Sequence, residues 1–399
     1  MNILELVQRE GERQTSSLNL IASENYVSPY VKQVLGTVFT NKYAEGYPGK
    51  RWYGGCEFTD QVEQHAIDLA KQLFGADHAN VQPHSGTQAN LSAYFAMLNP
   101  GDKVLAFKLE HGGHLSHGAP FNASGKFYKF VHYGVRKDDG LIDEAEYVAQ
   151  LDAHPDIKLV VTGASSYPRA INFEKLGAIA KERGKLFMAD IAHISGLVAA
   201  GEHQSPVPMS DFVTMSTHKT IRGPRGGMVV CSKKWASKLD RAVFPGTQGG
   251  PLVHVVAAKA AMLEEALKPE FKTYTKQVIA NAKAMAKAFT EIDPKRYRVI
   301  TGGTDNHMVM VDITGTGKNG KEIEDLVGAQ GVYVNKNFIP YDPRPNTETS
   351  GMRVGTPMVT TLGARETDMP RIVQFIDKAI SGENVRKEVG AFMAEIEGR

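Results

Sequence analysis

KLFMADIAHISGLVAAGEHQSPVPMSDFVTMSTHKTIRGPRGGMVVC, residues 185–231, decides how this chain folds. Three short apolar runs stand in it: Lys185–Asp190 (KLFMAD), Asp211–Met215 (DFVTM) and Gly227–Cys231 (GMVVC). Each has the length of a strand and is nearly continuous in its apolar character, the pattern of a strand covered on both faces. Upstream, KVLAF (Lys103–Phe107) and KLVVT (Lys158–Thr162) read the same way. Helical periodicity lies between some of these runs, as in Glu174–Arg183, which Gly184 closes. Strands alternating with helices predict βαβ units, and hence an α/β fold whose mostly parallel sheet is flanked by helices.

Further out, Phe58, Val62, Ala66, Leu69 and Leu73 recur at helical spacing, with Gly75 where a C-cap glycine belongs. Leu252–Leu267 reads as a helix ended near Pro269, and a second long helix starts at about Glu270. Beyond it MVMVD (308–312), GVYVN (331–335) and GMRVG (351–355) read as strands, and two helices end the chain. The expected division is an N-terminal helix and interface arm over 1–56, a large α/β domain over 57–270 and a smaller C-terminal α+β domain over 271–399. In the arm, MNILELVQREGERQ reads as an amphipathic helix. Residues 18–56 lack periodicity but carry Tyr26, Tyr30, Phe39, Tyr43, Tyr47, Trp52 and Tyr53. That aromatic content argues against disorder and predicts packing, with a second subunit as one candidate surface.

Composition narrows the function classes. Across 399 residues the formal net charge is +2, with 42% hydrophobic and 23% charged residues. No bulk charge favours nucleic acid or an anionic membrane. Two cysteines, Cys56 and Cys231, lie far apart, which argues against a disulfide scaffold and for a reducing compartment. No apolar run approaches the length of a membrane span. A cytoplasmic protein is expected.

Ligands of open α/β sheets bind at the carboxyl ends of strands. Asp190 ends one predicted strand, His193 follows it by three residues, and Lys219 lies just after the next strand. An aspartate and a lysine so placed suit pyridoxal phosphate: the amine forms a Schiff base with the aldehyde, and the carboxylate keeps the pyridine nitrogen protonated. Alone, Lys219 would read as a solvated loop lysine and Asp190 as a helix N-cap; the pair carries the reading. Ser85-Gly86-Thr87 before the helical stretch Gln88–Leu98 could cradle a phosphate at a helix N-terminus, or could be an ordinary cap. Gln248-Gly249-Gly250 is a second possible cradle, or an interdomain turn.

His111, His114 and His117 recur every three residues, yet no cysteine or carboxylate lies at ligand spacing, so no metal is expected. An imidazole stacked on a flat cofactor ring explains one of them, and spacing does not select which. Arg353, a charge within GMRVG, requires an anionic partner if buried: a substrate carboxylate held bidentately, or a structural acid.

At these positions the chain resembles the serine hydroxymethyltransferase family. The likeness runs from LIASENYVS (20–28) through YAEGYPGKRWYGGC (43–56), PHSGTQAN (83–90), HGGHLSHG (111–118) and MADIAHISGLVAAG (188–201). It continues through STHKTIRGPRGG (216–227), FPGTQGGPLVH (244–254) and VNKNFIPYD (334–342) to SGMRVGTPMVTT (350–361). The resemblance implies a fold-type I pyridoxal-phosphate enzyme, a homodimer with shared active sites or a dimer of dimers. The implied reaction is reversible hydroxymethyl transfer from serine to tetrahydrofolate, giving glycine and 5,10-methylenetetrahydrofolate.

Carried over by motif, Lys219 matches the Schiff-base lysine, Asp190 the partner of the pyridine nitrogen, His193 the contact to the ring hydroxyl and His114 the ring-stacking histidine. Ser85, Gly86 and Thr87 match the phosphate loop, and Ser216 and His218, just before Lys219 in STHKT, are expected cofactor contacts. Gly249 and Gly250 match a phosphate contact from the other subunit. Arg353 matches the carboxylate-binding arginine, with Ser23 near the substrate. Tyr43, Glu45 and Tyr53 match residues that reach across a dimer, Glu45 as the proton shuttle, a role that burial beside apolar and aromatic groups favours. Leu109, Leu115 and Asn337 match folate contacts. Ser216 stands where the family usually has Thr, Trp52 where Tyr is common, Gln204 where Pro is common and Leu362 where Arg is frequent; none of these removes a catalytic group.

Rival readings are a folate-independent aldolase of threonine-type β-hydroxy amino acids, an α-methylserine hydroxymethyltransferase, and a non-catalytic binding protein on the same fold. An aldolase has no use for Asn337 or the Glu45/Tyr53 pair. A strong RNA binder would be more basic than +2.

Overall fold

The computed structural model describes residues 2–397. Its larger sheet has seven strands: β1 (His78–Asn80), β2 (Lys103–Phe107), β3 (Lys129–Tyr133), β4 (Ile157–Gly163), β5 (Leu186–Asp190), β6 (Phe212–Ser216) and β7 (Gly227–Cys231). Their spatial order is β1-β7-β6-β5-β4-β2-β3. Strands β2 to β6 pair in parallel, and β7 alone runs against its neighbours β1 and β6. Four of the five residues of β5 and all of β6 and β7 are buried, as their unbroken apolar runs require.

Helices cover both faces. Glu57–Phe74 ends at Gly75, whose φ of +65° gives the left-handed cap read from the sequence. Phe173–Glu182 and Val253–Ala266 occupy the segments expected to be helical. The helix Pro269–Ile292 is continuous and serves two cores. Phe271, Tyr274 and Val278 pack with the larger sheet, whereas Met285, Ala286, Ala288 and Phe289 pack with the C-terminal elements. Those elements include a four-stranded antiparallel sheet, β8 (Arg298–Val299), β9 (Met308–Asp312), β10 (Asn335–Asn337) and β11 (Gly351–Gly355), in the order β8-β9-β11-β10. Helices Met369–Ile380 and Arg386–Glu397 follow.

GVYVN is not one strand. Val332–Tyr333 pairs in parallel with Leu18–Asn19, and the chain then changes partner at Val334 so that β10 joins β11. Residues 18–20 of the arm are therefore an internal element, with Leu18 and Leu20 fully buried in the C-terminal core, whereas the helix Ile3–Ser16 before them buries no residue. Farther along the arm Tyr30, Tyr43 (56%), Trp52 and Tyr53 (47%) are exposed, whereas Tyr26, Phe39 and Tyr47 are partly buried.

Candidate active site

The order of the strands places the site. Chain direction reverses its progress across the sheet between β2 and β4, and the loops leaving their carboxyl ends part to form a crevice. Gly112, after β2, accepts hydrogen bonds from Ser165 N (2.7 Å) and Ser166 N (3.1 Å) after β4, closing the floor. A cavity of about 930 Å³ opens above. It brings together Asp190, His193, Ser216, His218 and Lys219 with Ser85, Gly86 and Thr87, and Leu109, His114 and Leu115 from the loop after β2. Ser23, Asn337 and Arg353 complete the far wall.

Asp190 is surrounded by donors. Ala192 N donates to its Oδ1 (2.9 Å), and Asn90 Nδ2 (2.8 Å) and His117 Nε2 (2.9 Å) reach its Oδ2. Burial raises the carboxyl pKa, but the His117 hydrogen bond and the charges of His117 and His114 outweigh it and hold Asp190 well below the usual range. An ionised carboxylate accepts only, so His117 carries its proton on Nε2, and the buried Nδ1 of His117 is left without a partner. The Asn90 amide also donates to Ser116 Oγ (2.8 Å), and its carbonyl oxygen accepts Thr214 Oγ1 (2.5 Å). Ser116 Oγ lies 2.6 Å from His114 Nδ1, so one amide links the carboxylate to the imidazole beside it. Burial draws the His114 pKa down to about 4, leaving a neutral, flat ring.

Burial also lowers the Lys219 pKa, to about 8, with Asp190 pulling upward and Arg353 and Arg225 pushing down. Such an amine is readily deprotonated and nucleophilic. Its backbone is pinned: Asn25 Nδ2 donates to Lys219 O (3.0 Å) and to Tyr274 Oη (2.7 Å), while Thr361 Oγ1 donates to Asn25 Oδ1 (2.8 Å). His193 stacks on His307, with centroids 5.5 Å apart, planes at 22° and Nδ1 3.3 Å from His307 Nε2. Burial, followed by the charges of Lys219 and Arg353, pushes the His193 pKa well down.

Arg353 projects from β11. Its Nη1 donates to Ser165 O (2.8 Å) and its Nη2 to Asn335 Oδ1 (2.8 Å), both neutral acceptors, while the buried Nε has no partner. Among the described residues Arg353 forms no ion pair, so the structural-acid alternative is not what occupies it. The guanidinium faces the cavity with donor capacity unspent, as an anion site requires. Ser85 does cap the helix Gly86–Met97, accepting Gln88 N at 3.2 Å. The cap leaves the N–H groups of the first turn directed out of the helix end. Close packing holds that end: a Cβ on Gly86 would lie 2.6 Å from Ser216 Oγ.

These groups fit pyridoxal phosphate: an amine, a carboxylate and a flat neutral ring share one cavity with a helix N-terminus. A family model of serine hydroxymethyltransferases matches residues 1–376. The chain belongs to the serine hydroxymethyltransferase family. It is a fold-type I, pyridoxal-phosphate-dependent enzyme that transfers the hydroxymethyl group of serine to tetrahydrofolate, reversibly, giving glycine and 5,10-methylenetetrahydrofolate.

Five residues carried over from serine hydroxymethyltransferase motifs lie outside the cavity of the single chain. Tyr43 and Tyr53 pair at 5.0 Å, Tyr43 Oη donates to Glu45 Oε1 (3.4 Å), and Gly249 and Gly250 abut Glu45 and Tyr43. They form a second cluster, partly open to solvent. Sequence reasoning missed Asn90, Ser116, Asn25 and His307, and did not separate His117 from its two neighbours. Asn90 and Asn25 each carried one signal, a polar residue within a matched motif, PHSGTQAN or LIASENYVS. Among the described residues His114, His117 and Asp190 are also the one set close enough to share a cation. Hydrogen bonding already engages Asp190 and His114 there.

Proposed function

We propose that the hydroxymethyltransferase reaction is carried out by groups from two chains, each cavity being completed by the second cluster of a partner. In this reading Lys219 holds the cofactor aldehyde, Asp190 its ring nitrogen, His193 its ring hydroxyl and His114 its face. Ser85, Gly86, Thr87, Ser216 and His218 hold the phosphate end, with Gly249 and Gly250 of a second chain. The bound cofactor supplies an electron sink for the pair released when the Cα–Cβ bond of serine breaks. Arg353 binds the serine carboxylate, beside Ser23, and so sets which Cα bond faces that sink. Glu45, oriented by Tyr43 and Tyr53, takes and returns the proton of the serine hydroxyl. Leu109, Leu115 and Asn337 form the folate wall.

The observation that carries the chemistry is Arg353, a cavity guanidinium with an unpartnered Nε and only neutral partners, in one chamber with Lys219 and Asp190. What supports the sharing is the separation of Glu45, Tyr43 and Tyr53 from that chamber, and the exposure of the two tyrosines in the single chain. A homodimer, or a dimer of such dimers, in the cytoplasm is the setting we infer. No helix among the described residues is long and apolar enough to cross a membrane.

Mixed subunits test this. Lys219→Ala and Glu45→Gln each abolish most folate-dependent serine cleavage when alone. Random mixing makes half of the dimers mixed, each with one intact shared site, so activity returns to about a quarter of the native value. Mixtures that stay inactive would mean that Glu45 and Lys219 serve one chain's own site.

A further inference from the structure

Lys259 lies on the helix Val253–Ala266 and is only 1% exposed. Its Nζ donates to Val81 O at 2.6 Å, Gly227 O at 2.8 Å and Pro83 O at 3.0 Å. An ammonium has three donors, so the group is saturated, and all three acceptors are neutral. The carboxylate that acts on it, Glu63, spends its own hydrogen bonds on Arg51 and Gln82, each at 2.6 Å. A buried cation without a bonded counter-charge is unfavourable. Accordingly, burial draws the Lys259 pKa down to about 7, against a smaller upward pull from Glu63.

The three carbonyls share a location. Val81 and Pro83 lie in the connection from β1 to the helix Gly86–Met97, and Gly227 begins β7. Gly227 N donates to Pro83 O (3.0 Å), and a Cβ on Gly227 would stand 2.2 Å from Ser85 O and 3.1 Å from Gly86 N. A Cβ on Gly226 would stand 2.6 Å from Lys259 Cε. The ammonium thus clamps two segments behind Ser85-Gly86-Thr87 without lining the cavity itself. In the cavity wall, burial draws the His218 pKa down to about 3, followed by the charges of Arg225 and Lys219, and Lys259 adds a smaller push in the same direction.

We propose that Lys259 is a positioning residue for the cofactor phosphate, fixing the backbone of the cradle and supplying from behind it a buried positive charge that the phosphate answers. The proposal rests on the reading of Ser85–Thr87 as that cradle. A dianion across the loop is the missing counter-charge.

The test compares pyridoxal phosphate with pyridoxal, which lacks the phosphate, on the full-length chain freed of cofactor, with absorbance titration giving each Kd. Lys259→Gln keeps amide donors but no charge; Lys259→Met, of similar length and apolar, is the second variant should the first fail to fold. Expected is a loss of pyridoxal phosphate affinity of about tenfold or more, with pyridoxal affinity changed less than about threefold. A merely structural lysine would weaken both ligands equally, and that result, or no weakening, overturns the proposal. Ser85→Ala and Thr87→Val are measured beside it. Phosphate-selective loss in these two but not at Lys259 rejects the role of Lys259 alone; no selectivity in any variant rejects the cradle reading.

Discussion

Replacing Asn90 by alanine should impair turnover while leaving substrate binding nearly intact. The side chain spans three buried groups, donating to Asp190 Oδ2 and Ser116 Oγ and accepting from Thr214 Oγ1. The first bond meets an ionised carboxylate and is worth about 1.5–3 kcal/mol. Its loss removes one of the three donors that hold Asp190, so the carboxylate is less firmly positioned for the proposed contact to the pyridine nitrogen. His117 and Ala192 still donate to Asp190, so the carboxylate stays ionised at neutral pH and the cofactor stays bound. The second bond orients Ser116 against His114, and the third, once lost, leaves the fully buried Thr214 hydroxyl without its acceptor, at about 1–3 kcal/mol. The carboxylate bond alone, if fully expressed in the transition state, lowers kcat by about 10–150-fold. Arg353 is untouched, so the KM for serine should move less than about threefold. Steady-state serine cleavage with tetrahydrofolate measures both constants, and urea unfolding should show a loss of about 2–4 kcal/mol. A kcat within twofold of native, or a raised KM with unchanged kcat, refutes the reasoning.

Lys219 carries a pH prediction. Its pKa falls from 10.5 unfolded to about 8 in the cofactor-free fold, so below pH 8 the fold bears the cost of a buried charge, relieved as pH rises from 8 toward 10.5. Cofactor-free Lys219→Met should therefore unfold about 3 kcal/mol later than the native chain at pH 7, by urea midpoint and slope, and the advantage should vanish above pH 10.5; an advantage independent of pH contradicts this. Arg353→Lys gives up planar bidentate binding and should raise the serine KM by about 30–150-fold without releasing the cofactor; an unchanged KM would remove Arg353 from the carboxylate site. In Gly86→Ala the new Cβ meets Ser216 Oγ at 2.6 Å, so cofactor retention on dialysis should fall about tenfold. Adding Ser216→Ala should restore part of it, and a double variant as weak as the single would mean that the clash lies elsewhere.

Local pattern made most of the elements legible. The unbroken apolar runs of β5, β6 and β7 and the capped helix Glu57–Phe74 follow from short-range sterics and burial, which leave a periodic mark. GVYVN misled because strand identity depends on a partner. Val332 and Tyr333 pair with Leu18–Asn19 and only Asn335 joins β11, a division that alternation within five residues does not record. Lys259 left no mark either: a lysine between alanines reads as a solvated helix position, and only helix and strand segments closing round it turn it into a buried clamp.

What the sequence by itself determined is the family, and with it the candidate reacting groups: Lys219, Asp190, His193 and Arg353 stand in motifs whose order along the chain names the chemistry. What only the tertiary structure decided is how those groups are tuned and which of them share a chamber. Asn90 joins Asp190 to His114 because β5, β6, the helix Gly86–Met97 and the loop after β2 converge there, and Ser85 caps a helix whose end faces the crevice. Glu45, Tyr43 and Tyr53 stand apart from the chamber of their own chain. Motif order is a one-dimensional property, whereas hydrogen bonds, burial and the pKa shifts they cause depend on distances set by contacts remote in sequence.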